Sequence, residues 1–265
     1  MDYVIVVPSY GRVKGFRDKT LATLQHYRIP KERIYLFVAN EEQEEAYESV
    51  RDEVGHIVIG KKGLCEVRNF IFEYFPVGTR IVSFDDDVRG FVRLEDDRCR
   101  ELRVEEFGEM VETAFRYCDL VGARLWGDYP VPNAFFMRNT ITRDLKFIMG
   151  SFWGCINPGS AVAVWGGGEK EDYQRTIQFF ELDRAVVRLN MISHKTTTYS
   201  GAGGLNDAGR LAREEAMVID LLSRFPHYLR RNLRRKSPYP ELALRSVRAS
   251  VSLDGVLRTP SISLV

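Results

Sequence analysis

Three consecutive carboxylates, Asp85, Asp86 and Asp87, follow residues 81–84, Ile-Val-Ser-Phe, which read as a buried strand. Adjacent like charges repel, so their place at the end of a core strand calls for either open solvent or a cation. Asp85 and Asp87 are two apart, which in extended backbone puts them on one side. Short oxygen-only ligands suit Mg²⁺ or Mn²⁺, ions held by one or two carboxylates together with substrate phosphates. A solvated acidic turn, or a cap on the next element, accounts for the same triplet. By itself the triplet does not choose between them.

A second group lies further along. Gly166, Gly167 and Gly168 lead into Glu169-Lys170-Glu171-Asp172. A glycine run lets backbone approach a ligand closely, and a carboxylate at the following helix start can take a proton from an acceptor hydroxyl. Glu171 and Asp172 are equally accounted for as first-turn acids favoured by the helix dipole, an account that leaves three glycines unexplained. His194 follows an apolar strand pattern and precedes Lys195. Imidazole can complete a Mn²⁺ site of carboxylate and phosphate oxygens, and Lys195 is a candidate phosphate partner. The plainer use of a lone histidine is structural.

These groups need a scaffold. Residues 3–7 form a β-branched run stopped by Pro8, residues 34–38 and 56–59 are further strands, and 81–84 is the strand that delivers the aspartates. Helical spacing covers 18–27, about 41–54 and 64–74, so strands and helices alternate through short loops. That alternation predicts an α/β fold with a mostly parallel, Rossmann-like sheet flanked by helices. Ligands of such sheets bind beyond the carboxyl ends of the strands. The loop Pro8-Ser9-Tyr10-Gly11-Arg12, the turn at 60–63 and the triplet all fall at that edge, in one crevice. The second half is less regular, with helices expected at 104–117 and 208–224 and strands at 147–156 and 160–164.

The composition is that of a soluble globular protein: 265 residues, 45% hydrophobic, 28% charged, net charge +1. This balance excludes a global field toward nucleic acid or membrane. No apolar run approaches the roughly 20 residues needed to span a bilayer. Cys65, Cys99, Cys118 and Cys155 are widely spaced and read as reduced thiols, an intracellular and cytoplasmic usage.

The order of these motifs resembles the GT-A glycosyltransferases: strand, Val6-Val7-Pro8-Ser9-Tyr10-Gly11-Arg12, a basic position at Arg68-Asn69, a D-x-D, a glycine loop into Glu171-Asp172, then a late His194. The resemblance covers roughly residues 3–205. It implies that Asp85 and Asp87 hold a divalent metal on the diphosphate of a nucleotide sugar, with Asp86 at the nucleotide and His194 as a further metal ligand. It implies Asp172 as general base of an inverting reaction and Glu171 as a residue that orients the acceptor. Pro8, Ser9, Tyr10, Arg12, Arg68 and Lys195 become donor contacts. More narrowly, the strings at 6–12, 68–69, 85–87 and 171–172 look like the TET/JBP-associated glycosyltransferases. Members of that group from phages and protists are associated with glycosylating hydroxymethylated pyrimidines such as hydroxymethyluracil in DNA.

The tail fits a polyanionic acceptor. Arg230, Arg231, Arg234, Arg235 and Lys236 cluster with interleaved Tyr and Leu residues, a pattern suited to phosphate backbone and equally to a solvated amphipathic helix. A base inside a duplex must be flipped out to be modified. Trp126, Trp153 and Phe152 are stacking candidates for it, although such aromatics are more often core. The expectation is a GT-A domain at 1–205 and a basic, largely helical extension at 206–265 packed on it. The expected activity is metal-dependent transfer of a sugar from a UDP-linked donor to DNA. Transfer to a protein, lipid or polysaccharide, sugar nucleotidyl transfer, or simple nucleotide binding are the alternatives.

Overall fold

A computed structural model describes residues 1–196, 209–234 and 237–247. The first strand, β1 (Val4–Pro8), is followed by helical residues 13–26 (α1), β2 (Ile34–Val38), α2 (Glu41–Ala46), β3 (His56–Ile59), α3 (Leu64–Tyr74) and β4 (Arg80–Phe84). β1, β2, β3 and β4 pair in parallel in the spatial order β3-β2-β1-β4. The apolar runs of β1, β2 and β4 are continuous because both of their faces are covered, whereas β3, at the edge of the sheet, is half-exposed. Asn40 caps α2 by accepting the Gln43 N–H at 3.0 Å, as short amide side chains do at helix starts.

After β4 the chain forms a hairpin, β5 (Val88–Glu95) and β6 (Arg98–Glu101), then α4 (Val104–Val121), which Gly122 closes in the left-handed conformation. β7 (Leu125–Asp128), β8 (Ile141–Thr142), β9 (Phe152–Ile156) and β10 (Val187–Leu189) complete an eight-stranded sheet in the order β3-β2-β1-β4-β9-β7-β10-β8. β9 runs antiparallel to both its neighbours. α5 (Glu171–Asp183) precedes β10, and β11 (Ile192–Thr196) joins β5 and β6 in a second, three-stranded sheet.

Two readings of the second half are corrected. The strand expected over 147–156 begins only at Phe152, and 160–164 contains a 3₁₀ turn, Gly159–Ala161, in place of a strand. The β5–β6 hairpin has no counterpart in the helix-strand alternation. After α6 (Arg210–Arg224) the extension turns into an antiparallel ribbon, β12 (Leu229–Arg231) with β13 (Leu242–Leu244), where further helix was expected. Val218, Leu221, Leu229 and Leu242 form a buried cluster with Ile177 of α5.

The main core lies between α1, α4 and the sheets, where Phe84, Phe91, Phe107 and Phe152 are all fully buried. Each such side chain contributes roughly 1.5–3 kcal/mol through burial. A Cβ on Gly154 would sit 2.3 Å from the Trp126 indole, so glycine there lets Trp126 lie flat across β9. The four cysteines are free thiols. Among the described residues no helix is long and apolar enough to cross a membrane.

Candidate active site

At the carboxyl edge of the sheet, the triplet's three carboxylates take three different partners. Asp85 accepts from Arg68 at 2.6 Å. Asp86 is 5% exposed and accepts from Ser9 Oγ at 2.6 Å and Arg12 at 2.8 Å. Asp87 accepts from the Thr196 hydroxyl at 2.8 Å. The acidic turn is therefore tied into the protein, not simply solvated. Burial pushes the Asp85 carboxyl up to about 6; Arg68 opposes this and Asp87 adds to it. Its side chain remains 32% exposed, so cleft solvent moderates the shift.

Arg68 organises the centre. It is 2% exposed on α3 and donates to Ser83 Oγ at 2.6 Å and to the Gly150 carbonyl at 3.0 Å as well as to Asp85. Its Nε lies 3.9 Å from Glu171 Oε1. Gly150 in turn adjoins the carboxylate pair: a Cβ there would stand 2.7 Å from Glu171 Oε1 and 3.7 Å from Asp172 Cβ. Asp85, Arg68, Gly150 and the start of α5 thus meet in one place.

The two acids of α5 have separate surroundings. Glu171 is buried, bonded to Arg175 at 2.7 Å, and the Arg175 guanidinium lies 4.2 Å from the centre of the Trp153 ring. Asp172 stays partly open, and one of its oxygens accepts the Tyr173 N–H at 3.0 Å. Burial first and Glu171 second raise the Asp172 carboxyl well above the ordinary carboxylate range, with Arg175 and Lys170 opposing. An acid held in this way can serve as a base near neutral pH.

His194 is buried beside the triplet, with Nδ1 2.9 Å from Asp128 and Nε2 2.6 Å from Ser151 Oγ. Asp128 also accepts the His194 backbone N–H. Both ring nitrogens are thus engaged within the protein. Among the described residues, no group of three His, Cys, Asp or Glu side chains converges to hold a metal. The donor chemistry of Asp85 and Asp87 still fits a hard dication. His194 reaches such an ion only by releasing Ser151.

Lys195 is not brought to the triplet. It follows His194 on β11, so its side chain takes the opposite face, where it binds Glu101 at 2.6 Å. Pro8 ends β1 at the cleft. The Ser9 hydroxyl is committed to Tyr47 and Asp86, whereas Tyr10 is 49% exposed with Lys62 5.3 Å from its ring centre.

Three further expectations change. Trp126, Trp153 and Phe152 are 0–1% exposed, so none is a platform for a substrate base; Trp153 instead backs Arg68 and Arg175. The glycine run packs closely against other parts of the protein: a Cβ on Gly168 would meet Leu64 at 2.8 Å and one on Gly166 would meet Met217 at 2.3 Å. Of the basic tail, Arg230 and Arg234 are exposed and Arg231 pairs with Glu215. Arg235 and Lys236 lie outside the described residues.

Asp128, Ser151 and Arg175 were missed from sequence. Arg175 had a signal, standing four residues after Glu171 on one helix face. Asp128 ends a short strand just as Asp85 does, whereas nothing local marked Ser151.

Comparison with known proteins completes the picture. The TET-Associated Glycosyltransferase family profile matches residues 3–193. The chain belongs to this family. Its fold, of the GT-A type, is shared with solved structures at low sequence identity. S. aureus TarS 1-349 superposes with a TM-score of 0.50 at 12% identity, over 73% of this chain and 59% of that one. The mannosyltransferase PcManGT from Pyrobaculum calidifontis, solved with GDP-Man and Mn²⁺, gives 0.53 at 10% identity, over 85% of this chain and 63% of that one. Glucosyl-3-phosphoglycerate synthase from Mycobacterium tuberculosis, solved with Mn²⁺, UDP-Glc and phosphoglyceric acid, gives 0.55 at 11% identity, over 92% and 89%. The chain thus spans less than two thirds of the first two. No curated protein matched the sequence.

Proposed function

We propose that this glycosyltransferase moves a sugar from a nucleotide-diphospho donor, UDP-linked, to a hydroxymethylated pyrimidine in DNA, with Mn²⁺ or Mg²⁺ and inversion at the anomeric carbon. The observation that carries the reading is the convergence of Asp85, Arg68, Gly150 and Asp172 in one cleft of a chain of this family. Asp85 and Asp87 are the residues that would hold the ion. A bound dication offsets the negative charge that grows on the departing diphosphate. Arg12 and Arg68 add positive charge at the same edge, and Tyr10 offers an exposed ring for the nucleoside. Asp172 accepts the proton of the attacking hydroxyl, a contribution of roughly 10²–10⁴-fold. The nucleotide sugars and Mn²⁺ in the two solved relatives above support this class of donor and ion.

For the acceptor, family membership and the exposed Arg230 and Arg234 are the supports. A base in a duplex must leave the stack before its hydroxymethyl group can reach the cleft. Phosphate contacts make such binding steeply salt-dependent, by about one power of salt concentration per contact.

The test uses UDP-glucose, MnCl₂ and a duplex containing 5-hydroxymethyluracil. The expected result is UDP release together with a hexose added to the base. Asp87→Ala should lose Mn²⁺-dependent UDP binding, and Asp172→Asn should keep UDP binding and lose transfer. Full transfer by Asp172→Asn would overturn the base assignment. Turnover on a protein, lipid or glycan with no salt-dependent DNA binding would overturn the acceptor. Pyrophosphate release from a nucleoside triphosphate and a sugar phosphate would make the chain a nucleotidyltransferase.

A further inference from the structure

The segment 165–174, which carries Glu171 and Asp172, is gripped from behind by one helix, α6. Trp165 donates its indole N–H to Asp220 at 2.8 Å. A Cβ on Gly166 would meet the Met217 methyl group at 2.3 Å. Glu169, 2% exposed, accepts from Arg213 at 2.5 Å. Lys170 Nζ lies 2.9 Å from Glu214, whose carboxylate also meets Arg210. Gln174, fully buried, exchanges two hydrogen bonds with the Trp165 backbone and contacts Met217.

Lys170 is the residue under strain. It takes φ 57°, ψ 22°, the left-handed region, and forms the N-cap of α5. A non-glycine residue there costs on the order of 1 kcal/mol and persists where surroundings over-determine it. Its carbonyl accepts the Tyr173 and Gln174 N–H groups at 3.1 and 3.3 Å, so its conformation sets the direction in which the first turn of α5, and with it Asp172, leaves the loop. The Lys170 side chain is only 11% exposed, and its counter-charge Glu214 only 4%. A buried ion pair of this kind is weak evidence for stability and better suited to specifying one conformation.

We infer that Glu214 and Lys170 are positioning residues for the reaction. The Glu214–Lys170 pair holds the strained turn that aims Asp172 at the acceptor hydroxyl, and α6 is part of the catalytic apparatus for that reason. The inference rests on Asp172 being the base. Misplacing a reacting group by about 1 Å can cost on the order of 10²-fold, so loss of the pair should act on kcat and leave the donor site untouched.

Glu214→Gln and Lys170→Gly test it in the full chain, with Ile219→Ala on the exposed side of α6 as control. Glycine adopts the left-handed turn without strain, so Lys170→Gly separates the pairing from the backbone preference. With UDP-glucose, Mn²⁺ and the hydroxymethyluracil duplex, both variants should lose about tenfold or more in kcat with donor KM within about twofold. The double variant should lose no more than the worse single one, the signature of residues acting as a unit. Backbone hydrogen exchange at 171–174 should rise in both variants and stay as in the wild type in Ile219→Ala, a readout independent of the donor chosen. Wild-type kcat per folded molecule and unchanged exchange, in variants of lowered Tm, would make the pair a structural tie and overturn the inference. If Asp172→Asn itself transfers normally, the base assignment fails and the inference falls with it; loss of transfer in Asp172→Asn beside wild-type kcat in Glu214→Gln and Lys170→Gly overturns the inference alone.

Discussion

The Glu171 carboxylate lies 2.7 Å from the Arg175 guanidinium, one helical turn away, and both groups are almost wholly buried. One residue later, Asp172 is half-buried, and among the described residues its carboxylate accepts one hydrogen bond, from the Tyr173 N–H. Two adjacent acids therefore stand in different surroundings. Glu171 holds Arg175 and stands 3.9 Å from Arg68; it is a counter-charge inside the wall of the site.

Glu171→Ala should accordingly unfold more easily, by about 3–5 kcal/mol, because two guanidiniums lose a buried partner. Asp172→Ala should change unfolding by less than about 1 kcal/mol. Urea denaturation of the two variants checks this. Equal losses would mean that the two carboxylates share one role.

The pH dependence of transfer follows from the raised Asp172 carboxyl. A base works deprotonated, so kcat should fall as pH drops through its pKa, and that acid limb should lie above the ordinary carboxylate range. Glu171 is the second cause of the shift, after burial. Glu171→Gln should therefore move the limb to lower pH in whatever fraction remains folded. A kcat profile flat down to pH 5 would contradict the environment described for Asp172.

Gly168 has φ +112°, and a Cβ there would come 2.8 Å from Leu64 Cβ. Gly168→Ala should destabilise the chain by about 1–3 kcal/mol. In contrast, Gly108 in the second turn of α4 has open space around it, and Gly108→Ala should stabilise by roughly 0.4–1 kcal/mol. Paired thermal melts measure both. An unaffected Gly168→Ala would show that the loop can shift away from α3.

The first half of the fold was legible because its signals are local. Runs such as residues 4–8 and 34–38 are buried on both faces, so they read as strands without knowledge of their neighbours. The second half was not. β9 begins only where Phe152 enters the ladder between β4 and β7, and no residue of 147–151 announces that pairing. The extension turns from helix to ribbon because Leu229 and Leu242 bury against α5, a contact made some fifty residues away in sequence.

For the site, residue type and order alone determined that carboxylates gather at the edge of a sheet and that a glycine loop delivers two more acids. Which partner each of these groups takes was decided only by tertiary contact. Arg68 claims Asp85, Ser9 and Arg12 claim Asp86, Arg175 claims Glu171, and Asp128 with Ser151 claims His194. Ionic and hydrogen-bond partners are selected by distance in space, within a few ångströms, and spacing along the chain fixes that distance only inside a single helix or strand.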